Sequence, residues 1–306
     1  MEIVKFASNK DDNYVRVVGN ISKLNEGIIL AWKNQNRIGQ MRMDETRQQI
    51  IDWLLPCDPS TNHDAAKEKY VEGTGRWFIE SSQFNHWKEG TKRSLWLHGI
   101  PGSGKTILCS TVIEKIKFAC HTQSNTDCVY FYFDFNDMRK QTIHGFLRSV
   151  LVQLCTCRQD FITNIQTLFD KCNRGRRQPN KNELVQILFA LLKGPRQTYL
   201  LLDALDECTE RGPMAQIVKK LISSFTNLNM LITSRLEQDI NTELQDYVDI
   251  VISIQSSEVK GDVEIYVRKL IDEDSNLKRF RRIREEVLTT LVMGADGMYI
   301  IFQFFR

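Results

Sequence analysis

The stretch Gly99-Ile100-Pro101-Gly102-Ser103-Gly104-Lys105-Thr106 constrains this chain more than any other part of it. It satisfies G-x-x-x-x-G-K-[ST], follows the apolar run SLWLH at 94–98, and opens a run over 105–119 that reads as a helix. Glycines there let the backbone wrap closely around phosphate oxygens. Successive N–H groups at a helix start then form an anion nest. Lys105 adds a compact charge for β- and γ-phosphates, and the Thr106 hydroxyl is a natural Mg²⁺ ligand. At ordinary glycine frequency a chance match in a chain of this length is about one per cent. The strand–loop–helix setting lowers that further against the alternative of an ordinary Gly-rich turn. The candidate phosphate-binding residues are Gly99, Pro101, Gly102, Ser103, Gly104, Lys105 and Thr106.

Four further apolar segments set the fold class. DCVYFYFDF at 127–135, TYLLLD at 198–203, NMLIT at 229–233 and DIVISI at 249–254 read as strands. Helical patterns over 142–157, 159–171, 181–193 and 213–225 separate them. Strands that are apolar throughout and alternate with helices indicate a parallel sheet covered on both faces. The expectation is an α/β, P-loop NTPase-like fold with a five-stranded parallel sheet flanked by helices. A short partial helical domain follows it. The boundaries read as a poorly defined N-terminal segment at 1–40, a helical adaptor at 41–90, the nucleotide domain at 91–255 and the partial helical domain at 256–306. Within the adaptor, a helix over 41–55 ends at Pro56 and the DPS turn. Trp77, Phe78, Phe84 and Trp87 suggest a short packed helical pair.

Two strand ends supply candidate chemistry beside the phosphate loop. Leu200-Leu201-Leu202-Asp203 ends an apolar strand on a carboxylate, and Asp206 and Glu207 follow. A carboxylate at the C-terminal end of such a strand can hold Mg²⁺, directly or through water. Asp206 or Glu207 could orient or deprotonate an attacking water, and the residue types leave the choice open. Ser234-Arg235 follows NMLIT, where an arginine could reach a γ-phosphate. A solvated loop arginine is the plain alternative.

Composition argues against several classes. Of 306 residues, 41 are Lys or Arg and 38 are Asp or Glu, a net charge of +3. That field is too weak for a surface built around nucleic acid. The basic clusters at 171–181 and 278–284 read as a solvated loop and a helix face. The longest apolar run, Met298–Phe305, is far below the roughly 20 residues of a spanning helix, and no secretory start is visible. The eight cysteines form no CxxC and complete no zinc spacing with the five histidines. They read as free thiols of a reducing, cytoplasmic setting. Cys155 and Cys157 sit two apart on a helix, so their side chains diverge.

WLHGIPGSGKT at 96–106, LLLDALDE at 200–207 and LITSR at 231–235 together resemble the NACHT group of STAND-type signalling NTPases. The segments at 52–81 and 84–87 and GADGMY at 294–299 resemble the fungal NLR-like members with a nephrocystin-3-type N-terminal domain. The resemblance implies ATP, or GTP, with Mg²⁺, and slow hydrolysis acting as a conformational switch of the innate-immunity or heterokaryon-incompatibility kind. It also implies protein partners reached by homo- or hetero-oligomerisation. By motif, Asp203 is the metal residue with Thr106, Asp206 and Glu207 are the extra acidic pair, and Arg235 is the sensor arginine. Gly75 and Arg76 fall in the turn where related NTPases contact adenine, although a helix-start turn explains them equally. Members of the group continue into a winged helix and repeats, so the chain is expected to stop within the helical segment. Two other functions stay open. One is a nucleotide-stabilised scaffold without meaningful hydrolysis, and the other is a nucleic-acid remodelling ATPase, which the low charge disfavours.

Overall fold

The computed structural model describes residues 44–123, 125–157, 162–254 and 256–273. Its five apolar segments are β1 (Ser94–Gly99), β2 (Thr126–Tyr132), β3 (Gln197–Asp203), β4 (Leu228–Ser234) and β5 (Ile250–Ile254). They pair in parallel throughout, in the order β2-β3-β4-β1-β5. The α/β class with a five-stranded parallel sheet is therefore as the sequence pattern implied. All seven residues of β4 are buried, the mark of a central strand, whereas β5 is partly exposed at an edge. Because β4 lies between β1 and β3, the phosphate-loop strand and the acidic strand are not neighbours. The register sets His98 opposite Ser234, Gly99 opposite Ile254 and Tyr132 opposite Asp203. The C-terminal strand ends thus meet along one edge of the sheet.

Residues 44–54 are helical (α1). The chain divides between Trp53 and Leu54, and everything below concerns the unit that begins at Leu54. It carries α2 (Ser60–Glu68), α3 (Arg76–Ile79), α4 (Ser82–Lys88), α5 (Lys105–Thr122), α6 (Ile143–Cys157), α7 (Ile162–Lys171), α8 (Lys181–Leu192), α9 (Arg211–Ser224), α10 (Gln238–Leu244) and α11 (Ser256–Glu273).

Alternation along β2 shows how both faces are covered. Tyr130 and Tyr132 enter the core built on α5, with Leu108, Val112 and Ile116. Phe131 and Phe133 turn the other way onto Phe146 of α6, with ring centroids 5.8 and 6.4 Å apart. On the α5 side, α11 contributes Val259, Val263 and Val267, a four-residue repeat that lines one helix face. The expected aromatic pair of short helices forms α3 and α4. The fully buried Trp87 donates its indole N–H to the Met230 carbonyl at 2.8 Å, and Asn229 donates back to the Trp87 carbonyl at 2.7 Å. These bonds pin α4 to the sheet.

Three local outcomes differ from the pattern reading. The DPS turn does follow α1, but it also starts α2: Asp58 accepts the Ser60 amide at 2.8 Å and its hydroxyl at 2.9 Å. The sequence pattern did not indicate α2 or α10. Strand β2 stops at Tyr132 rather than at residue 135, because Asp134 accepts the Asn136 amide at 2.8 Å and turns the chain. None of the eight cysteines is in a disulfide, and Cys155 is buried while Cys157 is exposed, in keeping with side chains that diverge. Among the described residues no helix is long and apolar enough to cross a membrane. Residues 1–40, most of the segment expected to be helical to about 293, the cluster at 278–284 and the apolar tail lie outside the described residues.

Candidate functional site

The loop between β1 and α5 takes its shape from glycines. Gly102 and Gly104 adopt φ values of 74° and 85°, in the left-handed region that side chains resist. Gly104 caps the 18-residue α5, whose free N–H groups and dipole face the loop. Lys105 Nζ folds back on the loop, donating to the Gly99 carbonyl and the Ile100 carbonyl at 2.8 Å each and to Ser103 Oγ at 3.4 Å. Burial pulls the Lys105 pKa down, and the carboxylates of Asp206 and Asp203 oppose that.

Asp203 ends β3 with only 2% exposure. Its Oδ2 accepts the Thr106 hydroxyl at 2.8 Å, and its Oδ1 accepts the Thr233 hydroxyl at 2.6 Å. Burial pushes its pKa up, while both hydroxyls and Lys105 hold it down. A hydroxyl and a buried carboxylate brought together beside the phosphate loop form an oxygen donor pair suited to Mg²⁺, which takes one or two protein ligands plus phosphate oxygens. The next residue, Ala204, has φ of +55°, and its amide donates to Thr233 Oγ1 at 3.0 Å. A left-handed alanine is strained, and this bond helps to hold it. Thr233 was not singled out from the sequence. Its signal was a hydroxyl directly after the apolar run Met230–Ile232.

The turn at 205–207 sends the two following acidic residues in different directions. Asp206 accepts the Arg235 amide at 2.9 Å, and Arg235 Nε lies 3.1 Å from its other oxygen. Glu207 instead accepts the Phe135 amide at 2.8 Å. Burial pushes the Glu207 carboxyl up to about 6, reinforced by Asp206, Asp203 and Asp134, while the Phe135 amide opposes the rise. The sequence left these two carboxylates interchangeable. The structure couples Asp206 to the arginine and gives Glu207 the pKa of a base useful near neutrality.

These groups line a cleft of about 540 Å³. Pro101 to Thr106, the three carboxylates and Arg235 line part of it. Another part is lined by Thr74, Gly75, Trp77, Val259, Asp262 and Tyr266. Gly75 therefore reaches the cleft, and its amide donates to Asp262 Oδ2 at 2.7 Å. Arg76, expected beside it, does not line the cleft. Gly75 caps α3 with φ of 75°, and Arg76 becomes the exposed first residue of that helix. Gly99 lies behind the lining, where an added Cβ would meet Ser103 Oγ at 2.9 Å and Ile254 Cβ at 3.1 Å.

With a lysine- and threonine-bearing loop after β1, an aspartate ending β3 and an arginine after β4, three different strand ends of a 2-3-4-1-5 parallel sheet, this is a nucleotide-binding P-loop NTPase domain of NACHT type. Residues 73–235, over half of the chain, match the family model Nephrocystin 3, N-terminal, and the chain belongs to that family. It is similar to vegetative incompatibility protein HET-E-1 of Podospora anserina, at 24% identity over 219 residues, covering 69% of this chain and 16% of that protein. The chain thus spans about a sixth of that relative's length. Among solved structures it is similar to Cdc6p of Pyrobaculum aerophilum, with a TM-score of 0.41 and 12% identity over 65% of this chain and 52% of that one. The Orc1 protein of Aeropyrum pernix, solved in complex with DNA, gives a TM-score of 0.40 and 10% identity over 73% and 53%.

Proposed function

We propose that this chain binds ATP with Mg²⁺, hydrolyses it slowly, and uses nucleotide occupancy as a conformational switch in signalling of the vegetative-incompatibility kind. The observation that carries this reading is the 2.8 Å bond from Thr106 of the phosphate loop to Asp203 on a strand two places away in the sheet. It brings together the two oxygen groups that a phosphate-bound Mg²⁺ needs.

In this reading Lys105 exchanges its carbonyl acceptors for β- and γ-phosphate oxygens, and the amides of the loop cradle the same phosphates. Thr106 and Asp203 would hold Mg²⁺, which when bound neutralises charge on the phosphates. Glu207, mostly ionised at neutral pH with its carboxyl at about 6, orients a water and takes its proton. Arg235, steadied by Asp206, meets the terminal phosphate. The segment 91–255 would carry the nucleotide, and the helical segment from 256 would respond to it. A ligand shifts such a balance only by its differential affinity for the two states, and a tenfold preference is about 1.4 kcal/mol. The partners proposed are protein chains, like or unlike, since a net charge of +3 does little to recruit nucleic acid.

Titration calorimetry tests the reading. Wild type should bind MgATP saturably, and Lys105→Ala should not. A parallel titration with MgGTP decides the base. Equal MgATP binding by both proteins overturns the assignment of the loop.

A second reading has one observation in its favour. The Glu207 carboxylate is engaged by the Phe135 amide, as it would be in a nucleotide-stabilised scaffold that does not hydrolyse. A single-turnover rate no higher than that of Glu207→Gln would select it.

A further inference from the structure

Asp262 is a carboxylate on the core-facing side of α11, between Val259 and Val263, both of which are buried. It is itself only 9% exposed. An apolar side chain would suit that position better, since a buried carboxylate is costly unless hydrogen-bonded. What it binds explains its presence. Asp262 Oδ2 accepts the Gly75 amide at 2.7 Å and the Trp77 indole N–H at 3.1 Å. Both donors lie 185 residues or more away in sequence. Gly75 is confined on its other side as well. An added Cβ would stand 2.8 Å from Leu108 Cδ1, in the first turn of the phosphate helix α5, and its φ of +75° disfavours any side chain. The joint at Gly75 therefore touches the phosphate helix and α11 together.

Gly75, Trp77 and Asp262 all line the cleft, with Val259 and Tyr266 of α11 beside them. The phosphate loop accounts for the anionic part of a nucleotide. An aromatic and apolar wall with a few fixed polar groups is the kind of surface that takes a flat, uncharged ring.

We propose that Asp262 is a positioning residue for the nucleobase: it fixes the Gly75–Trp77 wall, and through that wall α11 senses the nucleoside rather than the phosphates. The inference rests on the nucleotide reading given above. It predicts that weakening the latch, by taking away the charge that strengthens both bonds, separates recognition of the base from recognition of the phosphates.

The test uses the 306-residue chain with Mg²⁺ and two probes, a non-hydrolysable ATP analogue and inorganic tripolyphosphate. Asp262→Asn should bind the analogue about tenfold more weakly than wild type and tripolyphosphate equally well. Trp77→Phe keeps a ring and loses one donor, so it should weaken the analogue alone, by about threefold. The analogue, but not tripolyphosphate, should slow amide exchange along α11 in wild type, and this protection should be lost in Asp262→Asn. The proposal is overturned if folded Asp262→Asn binds the analogue as wild type does, or if both probes weaken equally. Should Asp262→Asn fail to fold by circular dichroism, Trp77→Phe decides: an unchanged ratio of the two affinities overturns the proposal. If wild type binds neither probe, the nucleotide reading itself has failed. If wild type binds both and the variants change nothing, only the role of Asp262 falls.

Discussion

Replacing Asp206 by Asn removes a charge and almost no volume. An oxygen remains to accept the Arg235 amide, 2.9 Å away, but the anion 3.1 Å from Arg235 Nε is gone. The Asp206 side chain is 7% exposed and that of Arg235 48%. A fully exposed ion pair contributes about 0–1 kcal/mol, whereas a hydrogen bond to a charged group contributes about 1.5–3. With one partner buried and the other half in water, this pair falls between them, at about 1–1.5 kcal/mol. That equals about five- to tenfold in an equilibrium. In the proposed site Asp206 does not touch nucleotide and acts only by holding Arg235 toward the terminal phosphate. Asp206→Asn should therefore cut the preference for a triphosphate over a diphosphate by that factor. In an Arg235→Ala background the same change should have no further effect. The assay is a calorimetric cycle of four proteins against a non-hydrolysable ATP analogue and ADP, each with Mg²⁺. If the two single effects add to within about 0.3–0.5 kcal/mol, the residues act independently and this division of labour is wrong. An unchanged preference in Asp206→Asn refutes it equally.

Glu207→Gln should retain nucleotide binding and lose about 10²-fold or more in single-turnover hydrolysis. With the wild-type carboxyl at about 6, the active form is the ionised one, so the rate should decline as pH falls through that value. A flat profile between about pH 5 and about pH 8 would remove Glu207 as the base. For stability, Gly145 and Gly261 should respond in opposite directions to alanine. A Cβ at Gly145 would lie 1.8 Å from the Arg139 carbonyl oxygen, so the backbone must move, at a cost of about 3 kcal/mol or more. Gly261, inside α11, has nothing within 4 Å of an added Cβ, and alanine there should stabilise by about 0.5–1 kcal/mol. Urea unfolding of the two variants gives the order directly, and the reverse order would contradict these contacts.

The parts of the site legible in the sequence are those whose chemistry demands particular side chains. The phosphate loop, Asp203 and Arg235 stand where the motifs placed them, and β4 differs from the expected 229–233 by one residue at each end. The strand order was not legible. Continuous apolarity says that strands are parallel and covered, but it does not say which crossover passes over which strand. The two helices missed, α2 and α10, bury little: His63 and Ala66 in one, Ile240 and Leu244 in the other. With so few apolar positions, neither shows a helical period. The partners of Glu207 and Asp262 were hidden for a different reason. The Phe135 and Gly75 amides are backbone donors with no residue signature, and Asp262 meets its donor across 187 residues.

The arrangement of these bonds bears on how occupancy could move the fold. Asp203, Asp206 and Glu207 fall within five positions, and three carboxylates packed so closely are costly unless each has its own donor. Here each one does, and each donor belongs to a different part of the sheet edge. Asp203 takes hydroxyls from α5 and β4, Asp206 takes the amide and guanidinium that follow β4, and Glu207 takes an amide beyond β2. Lys105 likewise spends its donors on the loop carbonyls. A bound Mg²⁺–nucleotide would compete for the Thr106–Asp203 bond, the Lys105 bonds and the hold on Arg235. Each exchange swaps an internal bond for a ligand bond, so the net gain in affinity is less than the ligand contacts alone would suggest. In the proposed switch the difference would appear as altered positions of the strand ends. Through Gly75, which touches both α5 and Asp262, such a shift in the phosphate helix would reach α11 without passing through the sheet. A switch of this construction needs no large rearrangement of the core. It needs only that the strand-end bonds and the Asp262 latch not be satisfied together equally well with and without nucleotide.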